Sequence, residues 1–374
     1  MKVLILSCNT GGGHNMAGRA MQEVLELAGH KAEFMDVMML AGEKTSKVVS
    51  GAYIGLARHC PEVFGVIYKA GRAVSSKNRK SPVYYANYLL AKRLYYYTTE
   101  HQYDAVIMPH LFPAEIVTAI YKKVQREKMP LTIAIATDYA CIPFWEETNC
   151  DYYIIPNEEL RAEFVDAGVK NDKIRAYGIP VSPNYSDTYD KALLRENAGI
   201  PENAVVYLIA GGSMGYDKMN RFSLEFVEHM NEQEYAIVVC GNNKKMYEYL
   251  KENLSERKNV QVLGYTSHMS EYLALSDVYY TKPGGVSSTE AAARNIPLVF
   301  LSDIPGCETK NKEFFLSHGM ASKADGALEA IDEGRRLYNT KHAADNMKAS
   351  QRKYVNHRAA EDIVRFVEGE VYGS

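Results

Sequence analysis

The chain has 374 residues, 47 % of them hydrophobic and 24 % charged, enough to bury large cores and to divide into two domains. Its formal net charge of −3 excludes a nucleic-acid affinity driven by a generally basic surface. The lack of any run of about 18 apolar residues excludes a membrane-spanning helix.

Met1-Lys2 leads straight into an apolar strand pattern instead of a signal-peptide core. Strand candidates in the first half are Val3–Leu6, Ala32–Asp36, Ala105–Met108, Thr132–Ala136 and Tyr152–Ile155, separated by stretches long enough for helices. That alternation predicts α/β architecture with parallel sheet. Gly178-Ile179-Pro180-Val181-Ser182-Pro183 punctuates the chain, because neither proline continues a helix or a central strand, and the domain boundary is expected just after it. The second half repeats the pattern with Val205–Ile209, Ala236–Val239, Val260–Leu263, Val278–Tyr280 and Leu298–Leu301, and a helical stretch from about Ala344 to Val371 has no strand after it. Six cysteines (Cys8, Cys60, Cys141, Cys150, Cys240, Cys307) form neither a Cys-x-x-Cys pair nor a metal-ligand spacing, which fits reduced thiols in a cytoplasmic protein.

One stretch departs from this scheme. From Arg58 to Arg93, the basic residues Arg58, Lys69, Arg72, Lys77, Arg79, Lys80, Lys92 and Arg93 face the single acid Glu62, interleaved with Tyr68, Tyr84, Tyr85 and Tyr88, and Tyr95, Tyr96 and Tyr97 follow. Cationic side chains draw a surface to anionic headgroups, and tyrosine suits an interface. The stretch reads as a monotopic contact with an anionic membrane surface; the alternative is a solvated insertion whose tyrosines pack internally.

Two glycine loops, Gly11-Gly12-Gly13-His14 and Gly211-Gly212-Ser213-Met214-Gly215, each follow an apolar strand and precede a helical pattern. A helix N-terminus carries unpaired N–H donors and partial positive charge, so each loop can hold an anion; plain tight turns are the other reading. A dinucleotide fingerprint starting at Gly11 fails, since Met16 stands where the third glycine belongs, and neither loop ends in the Gly-Lys-Ser/Thr of a phosphate-loop NTPase. Thr281-Lys282-Pro283-Gly284-Gly285-Val286-Ser287-Ser288-Thr289-Glu290 is more specific. A strand ends, two glycines admit close backbone approach, and a helix begins whose start can hold a diphosphate while Glu290 accepts from both ribose hydroxyls. That geometry suits a nucleotide sugar.

Leu263-Gly264-Tyr265-Thr266, Met269, Ser276-Asp277 and the Thr281 to Glu290 motif resemble the donor-binding half of family 28 glycosyltransferases. Gly11-Gly12-Gly13-His14, Thr137-Asp138-Tyr139 and Gly178-Ile179-Pro180-Val181 resemble the monogalactosyldiacylglycerol synthases and diacylglycerol glucosyltransferases within it. The resemblance runs across nearly the whole chain. It implies a GT-B fold, two Rossmann-like domains facing a central cleft: residues 1–183 as the acceptor and membrane-associated domain, 184–345 as the nucleotide-sugar domain, and 346–374 as a C-terminal helix returning to the first domain. By the same resemblance Gly211, Gly212 and Ser213 approach the donor diphosphate and Tyr265, Thr266 and Met269 border the uracil. Lys282, Pro283, Gly284, Gly285, Ser288, Thr289 and Glu290 complete the donor site, with Glu290 on the ribose. The family's Pro-Gly-Gln-Glu-x-x-Asn motif stands as Pro305-Gly306-Cys307-Glu308-Thr309-Lys310-Asn311. Glu308 and Asn311 match it, and Cys307 replaces the glutamine. In Thr137-Asp138-Tyr139-Ala140-Cys141-Ile142, Ile142 stands where related lipid glycosyltransferases carry histidine.

The implied function is an inverting hexosyltransferase that uses UDP-glucose or UDP-galactose as donor and diacylglycerol or a related lipid as acceptor. It would sit on the cytoplasmic face of the membrane, with no obligatory cofactor. Alternatives are transfer of N-acetylglucosamine to a lipid-linked peptidoglycan precursor, a UDP-sugar epimerase, and a non-catalytic nucleotide-sugar sensor. Inverting transfer needs a base for the acceptor hydroxyl and stabilisation of the leaving diphosphate. His14, ending the acceptor-side loop Gly11–Gly13, is the base candidate, a helix-capping histidine being its structural counterpart. Asp138 would orient His14 or face the acceptor, or serve as a turn or cap carboxylate. No Asp-x-Asp segment stands where it would hold a metal on the donor phosphates, so helix amides and Lys282 are expected to meet that charge.

Overall fold

The computed structural model describes residues 1–9, 11–44, 80–121, 124–125, 129–211, 219–301 and 306–373. The chain divides into two compact units: Met1–Pro183 with Ile304–Lys310 and Asn356–Ser374, and Asn184–Asp303 with Asn311–Val355.

The first unit is built on six parallel strands, β1 (Lys2–Ser7), β2 (Lys31–Asp36), β3 (Ala105–Met108), β4 (Leu131–Ile135), β5 (Tyr152–Ile154) and β6 (Ile174–Arg175), in the order β2-β1-β3-β4-β5-β6. Helices that cover both faces of a parallel sheet bury every side chain of its central strands, so these read as unbroken apolar runs; Val3, Leu4, Ile5 and Leu6 are all fully buried. The Gly12–Leu27 helix and the Ala359–Tyr372 helix share one core with the sheet, where Met21 and Leu25 meet Ile363 and Val367.

The close helix-on-strand packing that Met16 could not provide is supplied two residues later. A Cβ on Gly18 would stand 2.7 Å from the Phe34 ring and 3.2 Å from the Ile5 side chain. Gly178 lies at φ +103°, and a Cβ there would come within 3.1 Å of the Ala359 Cβ. Its place in the Gly-Ile-Pro-Val motif thus serves the docking of the last helix.

The second unit holds β7 (Val205–Ala210), β8 (Glu234–Val239), β9 (Val260–Leu263), β10 (Val278–Thr281), β11 (Leu298–Phe300) and β12 (Ser322–Lys323), in the order β12-β11-β10-β7-β8-β9 and again parallel in every pair. The edge strands β6 and β12 were not expected from the sequence, since two residues make no apolar run. The C-terminal helical stretch is two helices, Lys341–Tyr354 and Ala359–Tyr372. Asn356 breaks it: its Oδ1 accepts from Arg358 N at 3.0 Å, and its Nδ2 donates to Tyr177 O and Asp362 Oδ2, both at 2.8 Å, an Asx turn that competes with the helix. Among the described residues no helix is long and apolar enough to cross a membrane.

Each sheet reverses its strand order once, between β1 and β3 in the first unit and between β7 and β10 in the second. In open α/β sheets ligands bind outside the carboxyl ends of the strands at such a reversal. In the first unit Gly11–His14 follows β1, and in the second Gly211 follows β7 and Lys282–Gly284 follows β10, so within each unit the chemistry-bearing residues stand at the reversal.

Candidate functional site

In the first unit the turn after β1 is fastened by a chain of side chains. Ser7 Oγ donates to Asn15 Oδ1 at 2.6 Å, Asn15 Nδ2 to Asn9 Oδ1 at 2.7 Å, and Asn9 Nδ2 to Asp36 Oδ2 at 3.0 Å. Asp36, where a dinucleotide fold carries its ribose acid, also caps the Val37–Ala41 turn by accepting from Met38 N at 3.0 Å. Gly12 and Gly13 lie inside the helix that begins there, and Gly11 is its N-cap, extended and with nothing within 4 Å of where a Cβ would be. Among the described residues nothing demands glycine at Gly11, and its helix has no side-chain N-cap.

His14 does not cap this helix. Its Nδ1 lies 3.0 Å from Pro109 O, after β3, and 2.8 Å from Thr137 Oγ1, after β4. A carbonyl oxygen only accepts, so Nδ1 carries the proton and the lone pair falls on Nε2. Burial holds the His14 imidazole below the ordinary histidine range, opposed by the Asp138 carboxylate and the Pro109 bond. Against it stands His110, ring centroids 4.5 Å apart at 72°. His110 is buried, its Nδ1 accepts from Phe112 N at 3.0 Å, and burial, then His14, keeps its pKa well below the usual value. His110 escaped the sequence analysis, although a polar residue directly after a buried parallel strand was a usable signal.

Of the tyrosine-rich stretch, Arg58 to Arg79 lies outside the described residues. Within Pro82–Tyr88 and Ala91–His101, Tyr84 is buried and Tyr97 turns inward, its hydroxyl donating to Glu33. Tyr85, Leu89 and Tyr96 are exposed, with Lys92 Nζ 5.8 Å from the Tyr96 ring. Internal packing accounts for some of these tyrosines and leaves others facing outward.

In the second unit Gly211 is buried at the end of β7, and Gly212 and Ser213 lie outside the described residues. Lys282 and Pro283 lead from β10 to Gly284, the N-cap of the Gly285–Ala293 helix, which also has no side-chain cap. Glu290 sits on this helix with its carboxyl pushed up to about 7 by burial, the Tyr185 hydroxyl donating to it and pulling the other way. Tyr185, itself buried, was not singled out in the sequence. After β9, Tyr265 is exposed, Thr266 Oγ1 accepts from His268 N at 3.0 Å, and Met269 opens the Met269–Leu275 helix.

Three residues expected at the donor site are buried in this structure. Ser288 and Thr289 are fully buried, and Thr289 Oγ1 donates back to Gly285 O at 2.7 Å, so both hydroxyls face the interior. Asn311, also fully buried, donates from Nδ2 to Pro283 O at 3.1 Å and so braces the β10 loop from within. Glu308 opens the Cys307–Ser317 helix after Gly306 and belongs to the segment Ile304–Lys310 of the first unit. Ser276-Asp277 lies at the opposite end of β10. Asp277 takes Arg195 and Lys191, each at 2.7 Å, and Val206 N at 2.8 Å, which makes it a clamp on the start of β7.

A family model described as monogalactosyldiacylglycerol (MGDG) synthase matches residues 14–181, and one described as glycosyl transferases group 1 matches residues 190–354. The chain is 30 % identical over 272 residues to a processive diacylglycerol beta-glucosyltransferase of Staphylococcus carnosus, covering 70 % of this chain and 69 % of that one. To the protein of the same description in Staphylococcus saprophyticus it is 27 % identical over 390 residues, 100 % of this chain and 96 % of the other. Among solved structures, UDP-GlcNAc 2-epimerase from Neisseria meningitidis bound to UDP-GlcNAc superposes with a TM-score of 0.62 at 13 % identity, over 98 % of this chain and 99 % of that one, a likeness of fold. With two parallel α/β units, a histidine at one strand reversal, a glycine-capped helix at the other, and that sequence likeness, the chain belongs to the monogalactosyldiacylglycerol synthase and diacylglycerol glucosyltransferase family of GT-B glycosyltransferases.

Proposed function

We propose that this glycosyltransferase moves a hexose, glucose or galactose, from a UDP-sugar to the hydroxyl of diacylglycerol or a related lipid, with inversion at the anomeric carbon. One observation carries the acceptor assignment: the likeness to diacylglycerol beta-glucosyltransferases spans the chain and includes the unit in which His14 stands. The relatives' beta product, formed from an α-linked sugar nucleotide, corresponds to inversion.

His14 suits the base. Its Nδ1–H is fixed on Pro109 O, its Nε2 lone pair is available, and burial keeps it neutral near pH 7. In the transfer the acceptor O–H gives its proton to Nε2, the acceptor oxygen bonds to C1, and the C1–O bond to the diphosphate breaks, releasing UDP. Asp138 stabilises the imidazolium as it forms. On the donor side the uncapped amides at Gly284–Val286 and the Lys282 ammonium meet the diphosphate charge, Glu290 takes the ribose hydroxyls, and Tyr265 offers an exposed ring for the base. Glu308, by its place in the family motif, meets the transferred sugar, Cys307 lacks the amide that the family's glutamine supplies, and Asn311 braces the β10 loop.

The acceptor reaches the enzyme from an anionic membrane on its cytoplasmic face. Exposed Tyr85 and Leu89 lie within the basic run from Arg58 to Arg93, exposed Tyr96 follows it beside Lys92, and all three support this contact. The deciding experiment incubates the protein with UDP-glucose or UDP-galactose and diacylglycerol vesicles and identifies the product by mass spectrometry. Glycosylated lipid is expected. Isomerised UDP-sugar formed without lipid, and no lipid product, would overturn the reading.

A further inference from the structure

His110 sits one residue before the Leu111–Tyr121 helix, and its Nδ1 takes the N–H of Phe112, the second residue of that helix. This is an N-cap, yet caps are ordinarily filled by Asn, Asp, Ser or Thr, which do the same with less buried polar surface. What those residues would lack is the ring. The imidazole of His110 stands edge-on to His14 at 4.5 Å on one side and to Phe112 at 4.7 Å on the other. Because Nδ1 is committed as acceptor, His110 is held as the neutral Nε2–H tautomer, and the N-terminus of its helix further disfavours a cation there. The strand reversal between β1 and β3 brings the two rings together: His14 follows β1, His110 follows β3.

We propose that His110 is a positioning residue for His14, its ring setting the orientation of the His14 imidazole and closing one flank of it to water. Thr137 and the Pro109 carbonyl hold the His14 ring by its Nδ1, and His110 packs edge-on against the ring itself. Asp138, beyond β4, acts electrostatically on His14, and His14 on His110. The proposal rests on the assignment of His14 as the base.

Three variants test it. His110→Asn keeps an acceptor for the Phe112 N–H and removes the ring; His110→Phe keeps a ring and removes the acceptor; His14→Ala removes the base. With UDP-glucose and diacylglycerol vesicles, His110→Asn is expected to lose roughly 10- to 100-fold in kcat, the scale of a slightly misplaced catalytic group, with KM for UDP-glucose unchanged. The acid limb of its pH profile should move to higher pH as water reaches His14, and the NMR titration of His14 in the ligand-free enzyme should move with it. His110→Phe should keep the parent limb and most of kcat. A His110→Asn enzyme with the parent's kcat, pH profile and His14 titration, where His14→Ala is inactive, would overturn the proposal and leave His110 a helix cap. If His14→Ala keeps full turnover, the base assignment fails instead, and the NMR titration still decides whether His110 governs the His14 ring.

Discussion

At the strand reversal of the first unit, two imidazoles are kept neutral by burial and by the N-termini of the helices that carry them. In the second unit, the group at the same topological position is a carboxyl, Glu290, which burial lifts to about 7 while Tyr185 holds it. Both units thus place a titratable group whose charged form burial disfavours near the carboxyl end of a parallel sheet, but with opposite consequences. A neutral imidazole with its lone pair on Nε2 is ready to take a proton. A half-ionised carboxyl is a ligand-binding group that gains its full accepting power when a donor arrives. The same fold serves proton transfer in one unit and recognition in the other.

His14→Ala should separate the two units most strongly. A general base contributes on the order of 10² to 10⁴ in rate, so kcat for lipid glycosylation should fall by that factor while calorimetry finds UDP affinity unchanged. In the parent, activity should decline toward acid with a midpoint below the ordinary histidine value of about 6.5, because burial lowers the pKa of His14 and keeps it basic-form to lower pH.

Glu290 should act on binding instead. Glu290→Gln is expected to weaken UDP by roughly 10-fold, an effect on the scale of 1–2 kcal/mol for hydrogen bonds to a charged acceptor. Since its carboxyl titrates at about 7 in the free protein and binds ribose best when ionised, UDP affinity in the parent should rise as pH climbs toward 7 and then level. The slope should flatten in Glu290→Gln beyond what titration of the nucleotide itself accounts for. The sign for stability is reversed. A carboxyl whose folded pKa lies above its unfolded value stabilises fully only below the unfolded pKa, and loses that stability as pH rises through the folded one. Glu290→Gln should therefore raise Tm at pH 8 while it weakens UDP, and equal Tm values there would contradict the burial argument.

Smaller effects sharpen the independence of the two regions. Gly18→Ala forces a Cβ into the Phe34 ring and Ile5, at a cost of about 1–3 kcal/mol in denaturant unfolding, with no change in UDP affinity. Smallest is the surface contact: neutralising Lys77, Arg79 and Lys92 should weaken sedimentation with anionic vesicles by about 1 kcal/mol per residue, a difference that high salt should erase.

Much of the fold was legible because parallel strands buried on both faces write themselves as apolar runs. Ala105–Met108 and, at a sheet edge, the half-buried Val260–Leu263 coincide with the expected limits, and the other expected strands differ by a residue or two. Two-residue β6 and β12 carry no such pattern, since their place comes from neighbours and not from their own side chains. Motifs singled out candidate site residues and said little about which way they face. Ser288 and Thr289 are spaced like donor contacts, but the helix turns them inward, and Asn311 meets a backbone carbonyl. His110 and Tyr185 illustrate the converse, since their partners His14 and Glu290 lie far away in sequence and only tertiary packing joins them. Gly18 belongs to the same class, its requirement visible once Phe34 lies across it.

The Ala359–Tyr372 helix completes the core of the first unit, with Ile363 and Val367 set among side chains of β1 and β3 and Asn356 tied to Tyr177. A ribosome, however, makes these residues after the whole of the second unit. Domains ordinarily close in the order in which they are synthesised. Here the sheet begun at Lys2 must hold an apolar face open until the chain has passed residue 359, while the strands of the second unit, all emerging before that point, have everything they need. In vectorial synthesis the unit begun first is thus the last to close, and a message cut short before codon 359 would release a folded second unit joined to an unfinished first.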